Sequence, residues 1–456
     1  MKWEFPRKVA DKTRQVWGVT RKGFKRYFRK KGGRLLVQDA KNLGDAIGDR
    51  ADRKREHLDP IYTEPIHRPV EQASDELVLT RGRIDHGFLF IVIALCLFGL
   101  VMAFSASSVY AAQYHDDSTY YVKDHILFLF LASIPTVLAV LFARPWFWRF
   151  FGVFSYVVSV ILLALVLIIG SSYGSGATRW IQIGPISVQP SEIAKMAVIL
   201  VIALIMSKHE KEIAMRQRFG GHMRYAVLFP MLAFGFICVL VAAEHHLSGI
   251  IIIGIMGLVT MYIGGTDVKY FRWLFVIGII GVCGVLAVSE YAMLRITTWL
   301  QIEFNSPNLN PLGSAWQTLQ GLNAIGSGGF FGRGLGNSQQ KYGYVSQPQN
   351  DFIFTIICEE LGFVGALGVI LLFGLLVWRG FRIAAKAPDK FSSIVVYGLI
   401  IKVALQTILN VAVVTNSIPN TGIALPFFSA GGTSLILQIF EMGIVLSISR
   451  FSYQKR

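Results

Sequence analysis

The residues of this sequence best suited to chemistry are charged and amide side chains set at the edges of long apolar runs. In the stretch from Gly176 to Lys195, Arg179 and Trp180 offer a guanidinium and an indole at interface depth. They suit either a site for an anionic headgroup or an interface anchor. Gln189 and Ser191 flank Pro190, which fits the first turn of a helix, where its missing N–H costs nothing. Glu192 and Lys195 then share a helical face three residues apart and can neutralise each other as a structural pair or as part of a site.

Further along, Glu359 and Glu360 follow Asn350-Asp351 two turns into an apolar run. Carboxylates there are expensive, yet adjacent residues point about 100° apart and cannot both face one ligand, so structural partnership and active-site support both stay open. Lys402, Gln406 and Asn410 recur every four residues as a polar stripe, fitting interhelical hydrogen bonding or a site wall. The segment 416–434 is dense in turn residues, and its Ser429, Gly431, Gly432 and Thr433 could line an anion pocket with backbone N–H groups before the next helix. His245 and His246 follow Glu244, but adjacent histidines on a helix do not suit one metal, so no metal site is read here.

These residues need a membrane scaffold to hold them. Of the 456 residues, 53% are hydrophobic and 16% charged, which excludes an ordinary water-soluble fold. The hydropathy pattern predicts an all-α polytopic protein with spans near 86–107, 125–143, 150–170, 190–207, 226–243, 247–265, 271–290, 351–378, 393–415 and 432–449. Lys and Arg concentrate in alternate loops, which predicts cytoplasmic N- and C-termini. The segments 108–124, 171–189, 291–350 and 416–431 then fall outside. The connection 291–350, between the seventh and eighth spans, is far longer than usual and so expected to be functional. Its glycines, Gly326 to Gly336, imply positive φ and a fold back onto the helices. The domains expected are a basic cytoplasmic extension at 1–84, a membrane domain at 85–452 and a tail at 453–456. The first 34 residues hold 13 Lys or Arg against Glu4 and Asp11, a composition that suits anionic lipid rather than nucleic acid. Cys96, Cys238, Cys283 and Cys358 fall in or beside apolar spans and suggest neither disulfides nor zinc.

Taken in order, the stretches Arg179–Lys195, Gly326–Ser338, Asn350–Gly362 and Pro419–Ser434 resemble the FtsW, RodA and SpoVE family of membrane glycosyltransferases of bacterial cell-wall synthesis, over about 85–452. The resemblance implies a multi-pass protein of the bacterial cytoplasmic membrane. It would polymerise lipid II into glycan strands on the outer face, in division, shape or sporulation, beside a class B penicillin-binding transpeptidase. A sugar hydroxyl would displace undecaprenyl diphosphate with inversion, needing a base and a cation at the leaving group. Arg179 is the candidate cation. Trp180, Gln189, Ser191, Glu192, Lys195, Asp351, Glu359, Glu360, Lys402, Ser429, Gly431, Gly432 and Thr433 are the substrate-binding candidates. No cofactor is implied with certainty, and a divalent cation stays open.

The family carries an Asp where this sequence has Asn310, in Asn310-Pro-Leu-Gly313, and an amide is no general base. Glu303 is the candidate replacement, Asp351 a lesser one. His246-Leu-Ser-Gly249 likewise departs from the Asp-Leu-Gly of many relatives. The alternative is a catalytically weak member that holds lipid II or recruits the transpeptidase. A lipid transporter is a third reading, which should show paired broken helices and charge at the membrane midplane.

Overall fold

The structure is a computed structural model that describes residues 84–170, 179–183, 186–214, 221–244, 246–303, 310 and 312–452. The chain divides into two units, Met1–Asp75 and Glu76–Arg456. The first unit, with the expected basic arm, and the tail 453–456 lie outside the described residues.

The described part of the second unit is mostly helical, with one short hairpin. Its elements are α1 (His86–His115), α2 (Tyr120–Phe142), α3 (Pro145–Ile169), β1 (Ile181–Ile183), β2 (Ile186–Val188), α4 (Pro190–Lys208), α5 (Glu210–Ala214), α6 (Phe229–Ala243, entered through a π-helical turn at Met223–Leu228), α7 (Leu247–Gly264), α8 (Val268–Val288), α9 (Glu290–Glu303), α10 (Trp316–Gly328), α11 (Ile353–Ala385), α12 (Lys390–Val414) and α13 (Gly432–Ser449). The ten helices α1–α4, α6–α8 and α11–α13 take up the ten expected spans in order. Among the described residues, eight of these are long and apolar enough to cross a membrane. The 18-residue α7 and the 21-residue α8 complete the set.

Lipid is as apolar as leucine, so apolar side chains gain little by leaving it, and close packing of small residues decides which faces meet. Phe90, Phe150, Ile168 and Phe275 accordingly stay exposed on the bundle surface. Gly99 of α1 lies so close to the turn before α13 that an added Cβ would sit 2.2 Å from the Phe427 carbonyl oxygen. The α4 helix packs against α3, α6, α7, α12 and α13, and 13 of its 19 residues are buried. A central helix without a lipid face can carry charge, and α4 does.

Two carboxylates secure one end of the bundle by serving twice. Asp85 accepts from the Phe88 amide at 2.8 Å as the cap of α1 and pairs with Arg379 of α11 at 2.9 Å. Asp389 caps α12 through the Ser392 amide at 3.1 Å and pairs with Arg149 of α3.

The opposite end is rich in loops. The β1–β2 hairpin pairs Ile181 with Val188 and Ile183 with Ile186. Thr433 at the start of α13 donates to the Ser187 carbonyl at 2.6 Å. The connection 291–350 is not one long loop, because α9 and α10 lie within it. Trp299 and Arg295 of α9 donate to the Asn416 and Asn420 carbonyls at 2.9 and 2.8 Å. The Ala430 amide donates to the Gln349 carbonyl at 2.8 Å. The segments 291–350 and 416–431 therefore meet, and the hairpin of 171–189 is tied to the start of α13 that follows them.

Candidate active site

Two buried ion pairs stand on the inner faces of α4, α12 and α13. Lys195 Nζ lies 2.6 Å from Glu192 Oε1, and Lys402 Nζ lies 2.5 Å from Glu441 Oε1. The pairs are close enough that the Lys402 charge acts on both Glu192 and Lys195. Each charge is thus compensated away from water, as a low-dielectric interior requires. Glu441 went unseen at the sequence level. A lone carboxylate in the final apolar span was the available signal, since such residues are rarely idle.

Beside the Glu192–Lys195 pair, a small cleft is lined by Glu192, Gln406, Ser429, Ser434 and Gln438 together with the apolar Leu425, Pro426 and Phe427. Pro190 at N1 sets the direction of α4, so Ser191 and Glu192 are buried in its first turn. The candidate anion loop has spent several backbone donors on itself. The Gly431 amide donates to the Ser429 carbonyl at 2.9 Å, and Ser429 Oγ accepts from the Leu425 amide at 2.8 Å. Gly432 opens α13 against the Phe128 ring, where an added Cβ would sit 2.7 Å from Cζ. What this loop offers the cleft is side chains more than a nest of N–H groups.

The polar stripe on α12 divides its labour. Lys402 meets Glu441, Gln406 faces the cleft, and Asn410 Nδ2 donates to the Asp351 and Ile423 carbonyls, both at 2.7 Å. Asn410 thereby ties the start of α11 to the loop before α13. Asp351 is partly buried. Burial raises its carboxyl above the usual range, opposed by the Arg295 charge.

Glu359 and Glu360, both fully buried, face the long connection. Glu359 accepts from Ser338 Oγ at 2.5 Å and from the Gln339 and Gln340 amides at 2.9 and 3.3 Å. Glu360 accepts from Ser105 Oγ at 2.7 Å and from Lys341 Nζ at 3.1 Å. Their roughly perpendicular directions let one hold the loop and the other join it to α1. At Gly362 the helix breaks, with φ 66° and ψ −164°, and the Gly-rich run takes over. The Phe363 and Val364 amides donate to the Gly329 and Phe330 carbonyls at 3.0 and 3.2 Å. The expected positive φ appears at Gly329, Gly332, Gly334 and Gly336. Replacing Glu359 by Ala strands three donors in a buried place, so about 3 kcal/mol of stability should be lost. Faster proteolytic cleavage between 333 and 341 is the readout, and Glu359→Gln, which keeps an acceptor, should lose less.

A second polar group surrounds the α6–α7 turn. Arg179 and Trp180 are half-buried at the start of the hairpin strand. Glu244 caps α6 with a fully buried carboxyl, and among the described residues neither of its oxygens has a hydrogen-bond partner. Burial pushes it up to about 8, opposed by the Arg179 charge. His246 Nδ1 lies 3.4 Å from Ser191 Oγ. Burial, reinforced by Arg179, Lys195 and Arg295, holds its imidazole well below the ordinary histidine range and so neutral. His245 lies outside the described residues. Among the described residues no three His, Cys, Asp or Glu side chains come together as a metal site.

Glu303 ends α9 with an exposed side chain, and Asn310 is exposed as well. The Asn310 carbonyl accepts from the Gly313 amide at 3.3 Å in a tight turn. An added Cβ on Gly313 would come within 2.4 Å of Asn310 Nδ2. The intervening 304–309 lie outside the described residues.

A multi-pass membrane bundle with buried ion pairs beside a small cleft at its loop-rich end defines the class of this protein. A family model described as cell cycle protein, FtsW/RodA/SpoVE, matches residues 86–454, and the chain belongs to that family. It is 38% identical over 377 residues to stage V sporulation protein E of Bacillus subtilis (strain 168), covering 82% of this chain and all of that one. It is 34% identical over 387 residues to a probable peptidoglycan glycosyltransferase FtsW of Trichlorobacter lovleyi, covering 85% and 96%. Among solved structures, a chain described under "Structural coordination of polymerization and crosslinking by a peptidoglycan synthase complex" aligns with TM-score 0.65 and 26% identity over 81% of this chain and 99% of that one. The rod shape determining protein RodA of Thermus thermophilus aligns with TM-score 0.58 and 26% identity over 81% and 98%.

Proposed function

We propose that the chain is a peptidoglycan glycosyltransferase that polymerises lipid II into glycan strands, with its loop-rich end on the outer face of the bacterial cytoplasmic membrane. One observation carries the reading. Arg179, the Glu192–Lys195 pair at 2.6 Å and the small cleft beside it lie at one end of a bundle whose flanks face lipid. A lipid-linked diphosphate could keep its polyprenyl tail in the bilayer there while its polar head enters protein.

In the reaction, the acceptor sugar's 4-hydroxyl forms a bond to the donor's anomeric carbon as the bond to undecaprenyl diphosphate breaks. The hydroxyl proton passes to a base, and the leaving diphosphate takes the electron pair. Arg179 would steady that developing charge. Glu192 and Lys195 would position the reacting ends, and Glu359 and Glu360 would hold the long connection over them. The basic N-terminal arm would rest on anionic cytoplasmic headgroups, and a class B penicillin-binding transpeptidase would be the partner.

The test is polymer formation from purified lipid II, with and without that partner. Arg179→Ala should slow polymerisation about a hundredfold while leaving the melting temperature near wild type; an unchanged rate sinks the assignment. A second reading, a lipid II-holding scaffold, draws on the exposed amide of Asn310 where the family carries Asp. It predicts lipid II binding without polymer.

A further inference from the structure

The turn joining α1 to α2, at the loop-rich end, gathers five rings that the transfer reaction itself does not need. The α1 helix has 30 residues, a length of ~45 Å against a hydrocarbon core of ~30 Å, so about ten of its residues project beyond that core. Its first turn is pinned at the opposite end of the bundle by the Asp85–Arg379 pair. The projecting end is therefore the one that carries Tyr110, Tyr114 and His115. Tyr120 and Tyr121 then open α2.

These five rings form one continuous stack. Tyr110 and Tyr114 share a face of α1 one turn apart, with their centroids 4.4 Å apart. His115 lies flat on Tyr120, 3.9 Å away with the planes 4° apart. Tyr121 closes the group, 6.1 Å from Tyr110 and 5.2 Å from Tyr120. The turn beneath them is fixed, because Asp116 ends α1 in left-handed backbone with φ 54° and Asp117 accepts from the Thr119 amide at 2.9 Å and from Lys123 Nζ at 2.7 Å. Tyr114 is nevertheless 64% exposed and Tyr120 40% exposed. Rings held in place and open to water offer a ligand contact area with little entropy left to lose.

Charge and position narrow the ligand. Between 110 and 124, Asp116, Asp117 and Asp124 stand against Lys123 alone. A belt of interfacial tyrosines anchors a helix through lipid contact, and negative charge around the rings works against anionic headgroups. A sugar suits both features, since a pyranose turns an apolar C–H face to an aromatic ring and presents edge hydroxyls to carboxylates. The stack also adjoins the candidate site. The Gln349 side chain meets the Tyr121 hydroxyl, the Gln349 carbonyl accepts from the Ala430 amide at 2.8 Å, and the neighbouring Ser429 lines the cleft. Two turns along α2 from Tyr121, the Phe128 ring lies against Gly432 of the same loop.

We propose that the exposed ring stack of Tyr114, His115 and Tyr120 is a platform for a β-1,4-linked aminosugar strand lying beside the cleft. The inference rests on the glycosyltransferase reading for the source of that strand, which is the polymer being made. A strand held there stays within reach of the site between couplings, so losing the platform shortens the product.

Calorimetric titration of the β-1,4-linked tetramer of N-acetylglucosamine into the full-length chain in nanodiscs tests this without any polymerisation. The double variant Tyr114→Ala with Tyr120→Ala should bind about tenfold more weakly, the effect of two lost ring contacts. Tyr114→Phe with Tyr120→Phe keeps both ring faces and should bind within about twofold of wild type. Saturating the aromatic protons of the wild type should transfer magnetisation to the sugar C–H protons, and no transfer overturns the proposal however the variants fold. An Ala variant that melts earlier yet binds the tetramer as tightly makes the rings a lipid anchor and likewise overturns it. Equal binding of maltotetraose, an α-linked chain without acetamido groups, would reduce the platform to indiscriminate stacking and overturn the strand assignment. Strand length from purified lipid II, measured in parallel, separates the two readings. Ring-dependent tetramer binding in a chain that makes no polymer keeps the platform and removes the polymerase. Polymer of unchanged length from an Ala variant that binds the tetramer like wild type does the reverse.

Discussion

Lys402→Met is expected to destabilise the folded bundle by about 3–5 kcal/mol, the cost of leaving a buried partner charge uncompensated. Lys402 is 1% exposed and Glu441 is fully buried. Among the described residues only one Glu441 oxygen is engaged, since Oε2 has no hydrogen-bond partner there. Without the lysine, that carboxylate loses its hydrogen-bonded cation and keeps only the more distant charge of Lys195. The loss also spreads, because the Lys402 charge acts on the Glu192–Lys195 pair. Thermal unfolding in detergent reads the effect. The double variant Lys402→Met with Glu441→Leu should recover most of it, since replacing a buried pair by apolar groups of similar size is often neutral. Raising the salt should change little, because a pair this deep is poorly screened. A double variant as unstable as the single would show that α12 and α13 need these side chains for packing and not for charge balance.

Glu441 also marks where sequence reasoning stops. The ten spans were legible because lipid-facing residues such as Phe90 and Ile168 carry hydropathy whatever the helices do to one another. The polar stripe on α12 was legible as a stripe, since Lys402, Gln406 and Asn410 obey helical spacing. Their three different destinations depend on which helices pack against α12, and spacing says nothing of that. The paired carboxylates Glu359 and Glu360 could be seen to diverge, but the Ser338, Lys341 and Ser105 that receive them are 19 to 255 residues away in sequence. The α9 and α10 helices were missed inside 291–350 because their polar and glycine content resembles loop. Glu244 drew notice only as a neighbour of two histidines. Its isolation from hydrogen-bond donors is a property of the folded turn alone.

Glu303→Gln is expected to slow polymerisation by about 10²–10⁴, the usual contribution of a positioned general base. The argument starts from chemistry. The attacking hydroxyl must lose its proton, and Asn310, at the position where the sequence resemblance implies an Asp, is an amide that cannot serve as a general base. Glu303 ends α9 with an exposed side chain, seven residues before Asn310. Arg295 and Trp299 anchor the same helix to the loop before α13 through contacts of 2.8 and 2.9 Å. A carboxylate at the end of an anchored helix has a fixed base, and its exposed head is open to whatever substrate reaches it. Asn310→Asp supplies the decisive comparison, because the two sites then compete for one role. If Glu303 is the base, Asn310→Asp should change the rate by less than about tenfold and should restore activity to Glu303→Gln. If the wild type forms no polymer and Asn310→Asp alone switches it on, the chain binds lipid II as a scaffold whose only missing part is that carboxylate. Full activity in Glu303→Gln would instead remove Glu303 from the reaction and leave partly buried Asp351, its carboxyl already raised by burial, as the next group to substitute.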